Sequence, residues 1–422
     1  MPPSRIARNA ASLMGSRIVG AILLMGVLAL SAHRLSVPDF GLVSTVLAAG
    51  FIANMAVTFG TDTTVTRAVA ASSSNGASSS NGASPSNGAN AAAAALRFQL
   101  AVSAGLCIVS ATLVLVGHAP FEVAVQGLIL VPMAVTTVAS AVLRGAQEMV
   151  PLFTAGFVGG VVALAATIAG FAVATDPVIP IAGLGLGALA TAAITAQAAI
   201  RRIGRPPAAT GTGSAVGVSV VGASVPFAVM VILTTLSTQG AVLLVEFVAD
   251  EPAGAYAVAV RLLEAARLLP AAAIGALFPA MVASDHLRAD PQWLRRLLAY
   301  AVVMTGAMLA LAGPINRLVF DDQPDGAVLI RILAVGLVGI VARLALSFRL
   351  IASGRERAVL RSAAAGFAAF VVAGVSLTLV WGARGTAAAQ LIGIVVSTAW
   401  LAAVSRQSHH SSGETARTAP VG

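Results

Sequence analysis

Charged residues are scarce in this chain. They make up 10% of its 422 residues, whereas a soluble globular domain carries about 25%. Hydrophobic residues make up 58%, and the mean hydropathy is +0.93. Too few polar side chains are present to cover a water-exposed surface. The composition therefore excludes a soluble protein and predicts an all-α polytopic membrane protein, because a helix satisfies its own backbone hydrogen bonds in lipid.

Lysine is absent, and all 25 basic residues are arginine. The phosphate-binding loop of nucleoside triphosphatases needs a lysine, so an ion gradient, the membrane potential or the substrate's own gradient must supply any driving force. The one cysteine, Cys107, lies in an apolar run, which excludes a disulfide framework and a thiolate metal cluster. We assign no catalytic residue, cofactor or metal site.

Twelve apolar windows are long enough to cross the hydrocarbon core, which takes about 17 to 25 residues. They lie at roughly 12–31, 40–60, 97–117, 121–142, 152–174, 178–200, 218–245, 254–283, 296–313, 327–350, 357–380 and 386–404. We predict an N-terminal six-helix lobe at 1–200 and a C-terminal six-helix lobe at 215–404. Short motifs repeated in the same order in both halves favour an internal duplication, as in many secondary transporters.

Three polar segments interrupt or follow these windows. Residues 72–90 contain three near-identical hexads, SSSNGA, SSSNGA and SPSNGA, and this composition predicts a flexible linker. Residues 201–214 mix arginine, proline and glycine, which suits a connection between the lobes. Residues 405–422 are polar, and we predict a disordered tail.

The arginines are distributed unequally between the two sides of the membrane. With a cytoplasmic N-terminus, the inner connections and both tails hold about sixteen of them and the outer connections about three. The positive-inside rule therefore predicts a multi-pass protein of the cytoplasmic (inner) membrane with both termini in the cytoplasm. The net charge of +9 reflects this topology, and we expect no nucleic-acid partner.

Ionisable residues inside the apolar windows are the candidate functional residues. A charge at bilayer depth costs at least about 2.5 to 3.5 kcal/mol unless it faces a bundle interior or water. Arg261, Glu264 and Arg267 share a sector of about 120° on the eighth span, over about 9 Å of its length. One interpretation is a cationic lining that attracts a pyrophosphate, with Glu264 orienting the arginines. The alternative is an ion-paired network that only joins helices.

Four further residues belong to the candidate set. Arg17 lines the substrate path or reaches the membrane interface from the first span. Arg343, deep in the tenth span, lines the path or pairs with another helix. Asp62 and Arg67, just past the second span, form a local polar patch, an inner gate or a solvated helix end. Asp62 is also the candidate proton or cation site.

Three segments of the chain resemble one protein family. The first contains Asn9, Arg17, Pro38-Asp39-Phe40-Gly41-Leu42, Phe59-Gly60 and Arg67. The second is Gly254-Ala255-Tyr256 followed by Arg261-Leu262, Leu269-Pro270 and Leu277-Phe278-Pro279. The third is Gly385-Thr386-Ala387-Ala388 at the head of the last span. In this order they resemble the polysaccharide exporters and lipid-linked oligosaccharide flippases (Wzx-like) of the multidrug/oligosaccharidyl-lipid/polysaccharide (MOP) superfamily.

The resemblance implies a MATE-like fold of two six-helix lobes around a central cavity. It also implies a transporter that flips a polyprenyl-pyrophosphate-linked oligosaccharide for cell-surface polysaccharide biosynthesis by alternating access. Its partners would be the lipid-linked saccharide, membrane lipids, glycosyltransferases and a polysaccharide polymerase. The alternatives are an ion-coupled multidrug antiporter of the same superfamily and a membrane glycosyltransferase or polymerase, which needs a sizeable extramembrane loop with catalytic acids.

Overall fold

A computed structural model describes residues 3–74, 86–203, 213–249, 251, 253–283, 291–320, 322 and 325–417. The helices are α1 (Pro3–Arg34), α2 (Val37–Thr58), α3 (Thr61–Ser74), α4 (Ser86–Leu115), α5 (Phe121–Gly145), α6 (Val150–Phe171), α7 (Val178–Ile203), α8 (Gly213–Leu244), α9 (Gly254–Ala283), α10 (Pro291–Phe320), α11 (Gly326–Ala352) and α12 (Glu356–Arg417). A π-helical turn, Val245–Ala249, continues α8. These ranges contain no strand, and the predicted all-α fold class is confirmed.

Each of the twelve apolar windows lies on a helix, and α12 holds two of them. Its backbone reverses at Gly382, whose φ of 57° and ψ of −138° are not helical. The Thr378 and Thr386 hydroxyls then meet at 2.7 Å across the turn, and the Ser362 hydroxyl donates to the Ser397 carbonyl at 2.8 Å. The two halves of α12 are therefore an antiparallel pair of spans.

Within the described residues, nine helices are long and apolar enough to cross a membrane, with the α12 pair counted once. The other two windows lie on α1, whose apolar segment Ile18–Arg34 is shorter, and on α9. The latter carries Arg261, Glu264 and Arg267 among its apolar residues. A criterion based on length and composition alone thus misses a span, such as α9, that carries charged side chains.

The two lobes repeat the same helix pairing. In the N-terminal lobe α4 packs on α5, α5 on α7, α6 on α7 and α1 on α6. In the C-terminal lobe α10 packs on α11, α11 on α12 and α8 on α12. Each C-terminal pair is the N-terminal pair displaced by six spans, which is the arrangement that an internal duplication produces.

One helix and the ends of three polar segments differ from the sequence prediction. Helix α3 was not predicted, because it is short and only one side of it is apolar. Its residues Val65 and Val69 are buried against α4 and α5. Residues 72–74 and 86–90 of the predicted linker are helical, as are 201–203, 213–214 and 405–417. Residues 75–85, 204–212 and 418–422 lie outside the described residues.

The lobes meet most closely at the end of the bundle opposite to the N-terminus, which we call the far end. There Phe40, Val43 and Leu47 of α2 share an apolar cluster with Val258 of α9. Gly254 lies so close to Phe40 that a Cβ atom would stand 2.6 Å from the ring. At the other end, which we call the N-terminal end, the Thr64 and Ser224 hydroxyls of α3 and α8 join the lobes at 2.6 Å.

The close packing of α6 on α7 generates a testable prediction. A Cβ atom at Gly187 would meet the Gly159 carbonyl oxygen and would lie 2.7 Å from the Ala163 Cβ. Small residues allow such close approach of membrane helices. We expect Gly187→Ala to lower the free energy of unfolding by about 1 to 3 kcal/mol through overpacking. Thermal unfolding in detergent measures this loss.

Gly105→Ala on α4 is the matched control, because a Cβ atom at Gly105 has nothing within 4 Å. Equal stability of the two variants would show that α6 and α7 are not packed as described.

Candidate substrate path

The predicted polar stripe of α9 is a closed hydrogen-bonded network in the structure. The Arg261 Nη1 donates to the Glu264 Oε2 at 2.7 Å, and the Arg261 Nη2 donates to the Gln239 Oε1 of α8 at 3.1 Å. The Gln239 Nε2 donates in turn to the Glu264 Oε1 at 3.0 Å. Arg267 approaches the same Glu264 oxygen only to 3.6 Å. One carboxylate therefore faces two guanidinium groups, and a positive charge is left over.

Arg261 lies at the boundary of the two lobes. Its side chain is 7% exposed, and its Cζ lies 4.3 Å from the centroid of the Phe51 ring on α2. It also lines a cavity of about 400 Å³ whose remaining walls come from the N-terminal lobe and are mostly apolar. The guanidinium group of Arg261, which belongs to the C-terminal lobe, thus lies against side chains of the N-terminal lobe.

A second cavity, of about 620 Å³, lies nearer the N-terminal end. Its wall is rich in hydroxyl and amide groups, from Asn54, Thr58, Thr63, Thr136, Thr137, Ser140, Thr191 and Thr195. The Asn54 Oδ1 and the Thr136 Oγ1 are buried without a protein hydrogen-bond partner. The two cavities share Gly156 and Thr191. The two cavities are therefore neighbours, one apolar around Arg261 and the other polar towards the N-terminal end, and we refer to the pair as the hollow.

Asp62 pairs with a residue that sequence reasoning did not select. The Arg144 Nη2 of α5 donates to the Asp62 Oδ2 at 3.1 Å, and both side chains line the polar cavity. Arg67 is exposed on the same helix. The structure therefore places Asp62 in an ion pair with Arg144 within the N-terminal lobe. Among the described residues, no group of three or more potential metal ligands is present.

The remaining candidates lie in different places. Arg343 of α11 lines a small pocket of the C-terminal lobe together with Arg267. Arg17 lies on α1, and its side chain is outside the described part of the chain. The structure thus brings Arg261, Glu264, Arg267 and Arg343 into one lobe, with Asp62 in the other.

Sequence reasoning missed three partners of these residues: Gln239, Phe51 and Arg144. The local sequence around each of them gives little indication of its partner. Gln239 is a polar residue among apolar ones on α8, a weak signal that could have drawn attention. No comparable signal marks Phe51.

The profile of one protein family, described as polysaccharide biosynthesis protein, matches residues 6–284. The chain belongs to this family. The match runs from α1 through α9 and so includes the Arg261 network, whereas Arg343 lies beyond it. No curated protein sequence matches the chain.

Solved structures with a similar fold are transporters and a flippase. A multidrug resistance MATE family transporter of the MOP superfamily in an inward-facing conformation has a TM-score of 0.74 at 13% identity, over 94% of this chain and 96% of the other. Its outward-facing counterpart has a TM-score of 0.68 at 15% identity, over 97% and 96%. The lipid II flippase MurJ in an inward closed conformation has a TM-score of 0.66 at 13% identity, over 95% and 87%. The predicted MATE-like fold of this polysaccharide biosynthesis protein is confirmed.

The Arg261 network predicts strong coupling between Arg261 and Glu264. Glu264→Gln removes the only carboxylate that the network offers to Arg261. We expect a loss in the free energy of unfolding on the order of 3 kcal/mol, because a buried cation loses its counter-charge. Adding Arg261→Gln should restore part of that loss, so that the double-mutant cycle gives a coupling of at least about 1 kcal/mol. Thermal unfolding of the four proteins measures it, and additive losses would contradict the network.

Proposed function

We propose that this polysaccharide biosynthesis protein is a membrane transporter that flips or exports a polyprenyl-pyrophosphate-linked oligosaccharide by alternating access. The observation that carries the proposal is the hollow, a pair of neighbouring cavities with Arg261 at the apolar one. Such a cargo has a long apolar chain, a doubly charged pyrophosphate and a hydroxyl-rich sugar. The hollow offers apolar walls, a guanidinium and a wall of hydroxyl and amide groups in neighbouring cavities.

The sign of the charge favours an anionic cargo. Arg261 and Arg267 share one carboxylate, so the network keeps a positive charge after internal pairing. Arginine binds phosphate oxygens through two parallel hydrogen bonds, a geometry that lysine does not offer. A site for cationic drugs needs the opposite sign, a surplus of carboxylates over guanidinium groups.

The hydroxyl-rich cavity suits the sugar. Buried polar groups are normally hydrogen-bonded, yet the Asn54 Oδ1, the Gln126 Oε1 and the Thr136 Oγ1 have no protein partner. All three residues line the hollow. In the proposed function, sugar hydroxyls or water satisfy these atoms.

The lobe contacts support alternating access. The apolar seal of Phe40, Gly254 and Val258 closes the far end, while the polar cavity lies towards the N-terminal end. With the orientation predicted from the arginines, that end faces the cytoplasm, where lipid-linked sugars are assembled by glycosyltransferases. The polymerase that uses the flipped product would then act on the opposite side.

Replacing Arg261 tests the site. We expect Arg261→Ala to reduce flipping at least about tenfold, because a charge-assisted hydrogen bond to phosphate contributes about 1.5 to 3 kcal/mol. Arg261→Lys should retain part of the activity. The measurement is the transfer across proteoliposomes of lipid-linked saccharides extracted from host cells that lack this gene, at matched protein levels.

Arg331→Ala is the matched control, because Arg331 is an exposed arginine on α11. Unchanged flipping by the Arg261→Ala variant would refute the assignment of Arg261 to the path. If the lipid-linked saccharides cross the membrane equally well with and without the protein, and the deletion host becomes sensitive to drugs, the antiporter is favoured instead.

Locking the far end tests alternating access. We expect the Phe40→Cys/Gly254→Cys pair, in a Cys107→Ala background, to lose flipping on oxidation or on reaction with a short bis-thiol reagent. Since α2 and α9 must separate for release on that side, reduction of the disulfide should restore activity. The same double variant kept reduced is the control, because Gly254→Cys alone would press on the Phe40 ring. Full activity of the crosslinked protein would contradict the mechanism.

A further inference from the structure

The C-terminal lobe contains a second cationic pocket that the proposed path does not use. Arg267 of α9 and Arg343 of α11 line it together with Gln390 of α12. Arg267 lies about 20 Å along α9 from its first residue, and Arg343 about 14 Å from the last residue of α11. Both positions fall within the depth of the hydrocarbon core, which is about 30 Å thick.

The charges in this pocket are not balanced by the protein. Among the described residues, Arg343 forms no ion pair and no side-chain hydrogen bond. Its electrostatic neighbour is another cation, Arg267. Arg267 in turn has only the 3.6 Å contact with Glu264, whose oxygens already accept hydrogen bonds from Arg261 and Gln239. A guanidinium group at this depth is costly unless an anion, a dipole or water compensates it.

The charged and amide groups of the pocket are donors. The Gln390 Oε1 already accepts a hydrogen bond of 2.6 Å from the Tyr256 hydroxyl, so the amide NH₂ is the part of Gln390 that remains to donate. The Ser237 and Thr238 hydroxyls, which donate to carbonyls of their own helix, also line the pocket, and no carboxylate does within the described residues. Ile340, Phe370, Ile394 and two glycines are the other wall residues. Two guanidinium groups and an amide donor without a carboxylate favour a bound anion.

The size of the pocket limits the ligand. Its volume is about 20 Å³, which is room for one water molecule or one ion of similar size. A pyrophosphate that carries a lipid and a saccharide does not fit. Water fits, but it carries no charge and cannot offset the positive charge of Arg267 and Arg343.

We infer that the pocket between Arg267, Arg343 and Gln390 binds a small monatomic anion such as chloride. The bound anion offsets one of the two positive charges and draws Arg267 away from Glu264, which then pairs with Arg261. Without it, Arg267 competes for Glu264 and weakens the hold on Arg261. This coupling to Arg261 rests on the proposed function, whereas the binding itself does not.

Thermal unfolding of the purified full-length protein in detergent tests the binding. Chloride replaces gluconate at constant ionic strength, and we expect a saturable rise of the unfolding temperature by several degrees, because a ligand that binds only the folded state stabilises it. Arg343→Gln should abolish the rise and Arg343→Lys should shift its midpoint to higher chloride. Arg331→Gln, on the same helix, should leave it unchanged.

Two results would overturn the inferred site. One is a chloride response that persists in Arg343→Gln. The other is a response to inorganic pyrophosphate that depends on Arg343 and occurs at lower concentrations than the response to chloride, since the pocket would then belong to the cargo. Arg343→Gln could unfold at a lower temperature than the wild type even without chloride. In that case, the chloride midpoint of Arg343→Lys shows whether the pocket binds chloride.

Flipping in chloride and in gluconate tests the coupling. We expect the wild-type rate to fall several-fold in gluconate and the rate of Arg343→Gln to be the same in both salts. Equal wild-type rates in both salts, with binding intact, would overturn the coupling. Absence of flipping in every salt would count against the proposed function alone, because the unfolding experiment contains no transported lipid.

Discussion

A guanidinium group within the hydrocarbon core must find an anion, a dipole or water, and the C-terminal lobe is organised around this constraint. Arg261 is compensated by Glu264, Gln239 and the face of Phe51. Arg267 shares the same carboxylate at a longer distance. Because one acid serves two cations, the network keeps a surplus positive charge. In the proposed function and in the inferred anion site, a negatively charged group from outside the chain compensates this surplus.

The two lobes have the same helix pairing but different electrostatics. In the N-terminal lobe the ion pair between Asp62 and Arg144 is about one-third exposed and lies beside the cavity at the N-terminal end. A pair in this position contributes little stability, because water screens it. In the C-terminal lobe Arg261 is almost fully buried. Duplication thus accounts for the scaffold, and the placement of a few charges accounts for the difference in role between its halves.

Hydropathy predicted the spans because a window of apolar residues is a local property, and each of the twelve windows lies on a helix. The stripe of α9 was predictable for the same reason, since its residues share one face by helical periodicity. The partners were not. Gln239 and Arg144 come from other helices, and Phe51 comes from the other lobe. Such pairings depend on tertiary packing, so the ion pair of Asp62 with Arg144 of α5 was not predicted. Helix α3 was missed because its apolar residues, Val65 and Val69, are too few to form a window.

The contact of Arg261 with Phe51 relates cargo binding to lobe movement in the proposed function. A cation–π contact contributes about 0.5 to 2 kcal/mol, whereas a charge-assisted hydrogen bond contributes about 1.5 to 3 kcal/mol. A phosphate that binds Arg261 through two such bonds lies in the plane of the guanidinium group, whereas the Phe51 ring packs on its face, so the two contacts are compatible. Since Phe51 and Arg261 belong to different lobes, a cargo held by Arg261 in the proposed function lies at the boundary that has to rearrange when the lobes move.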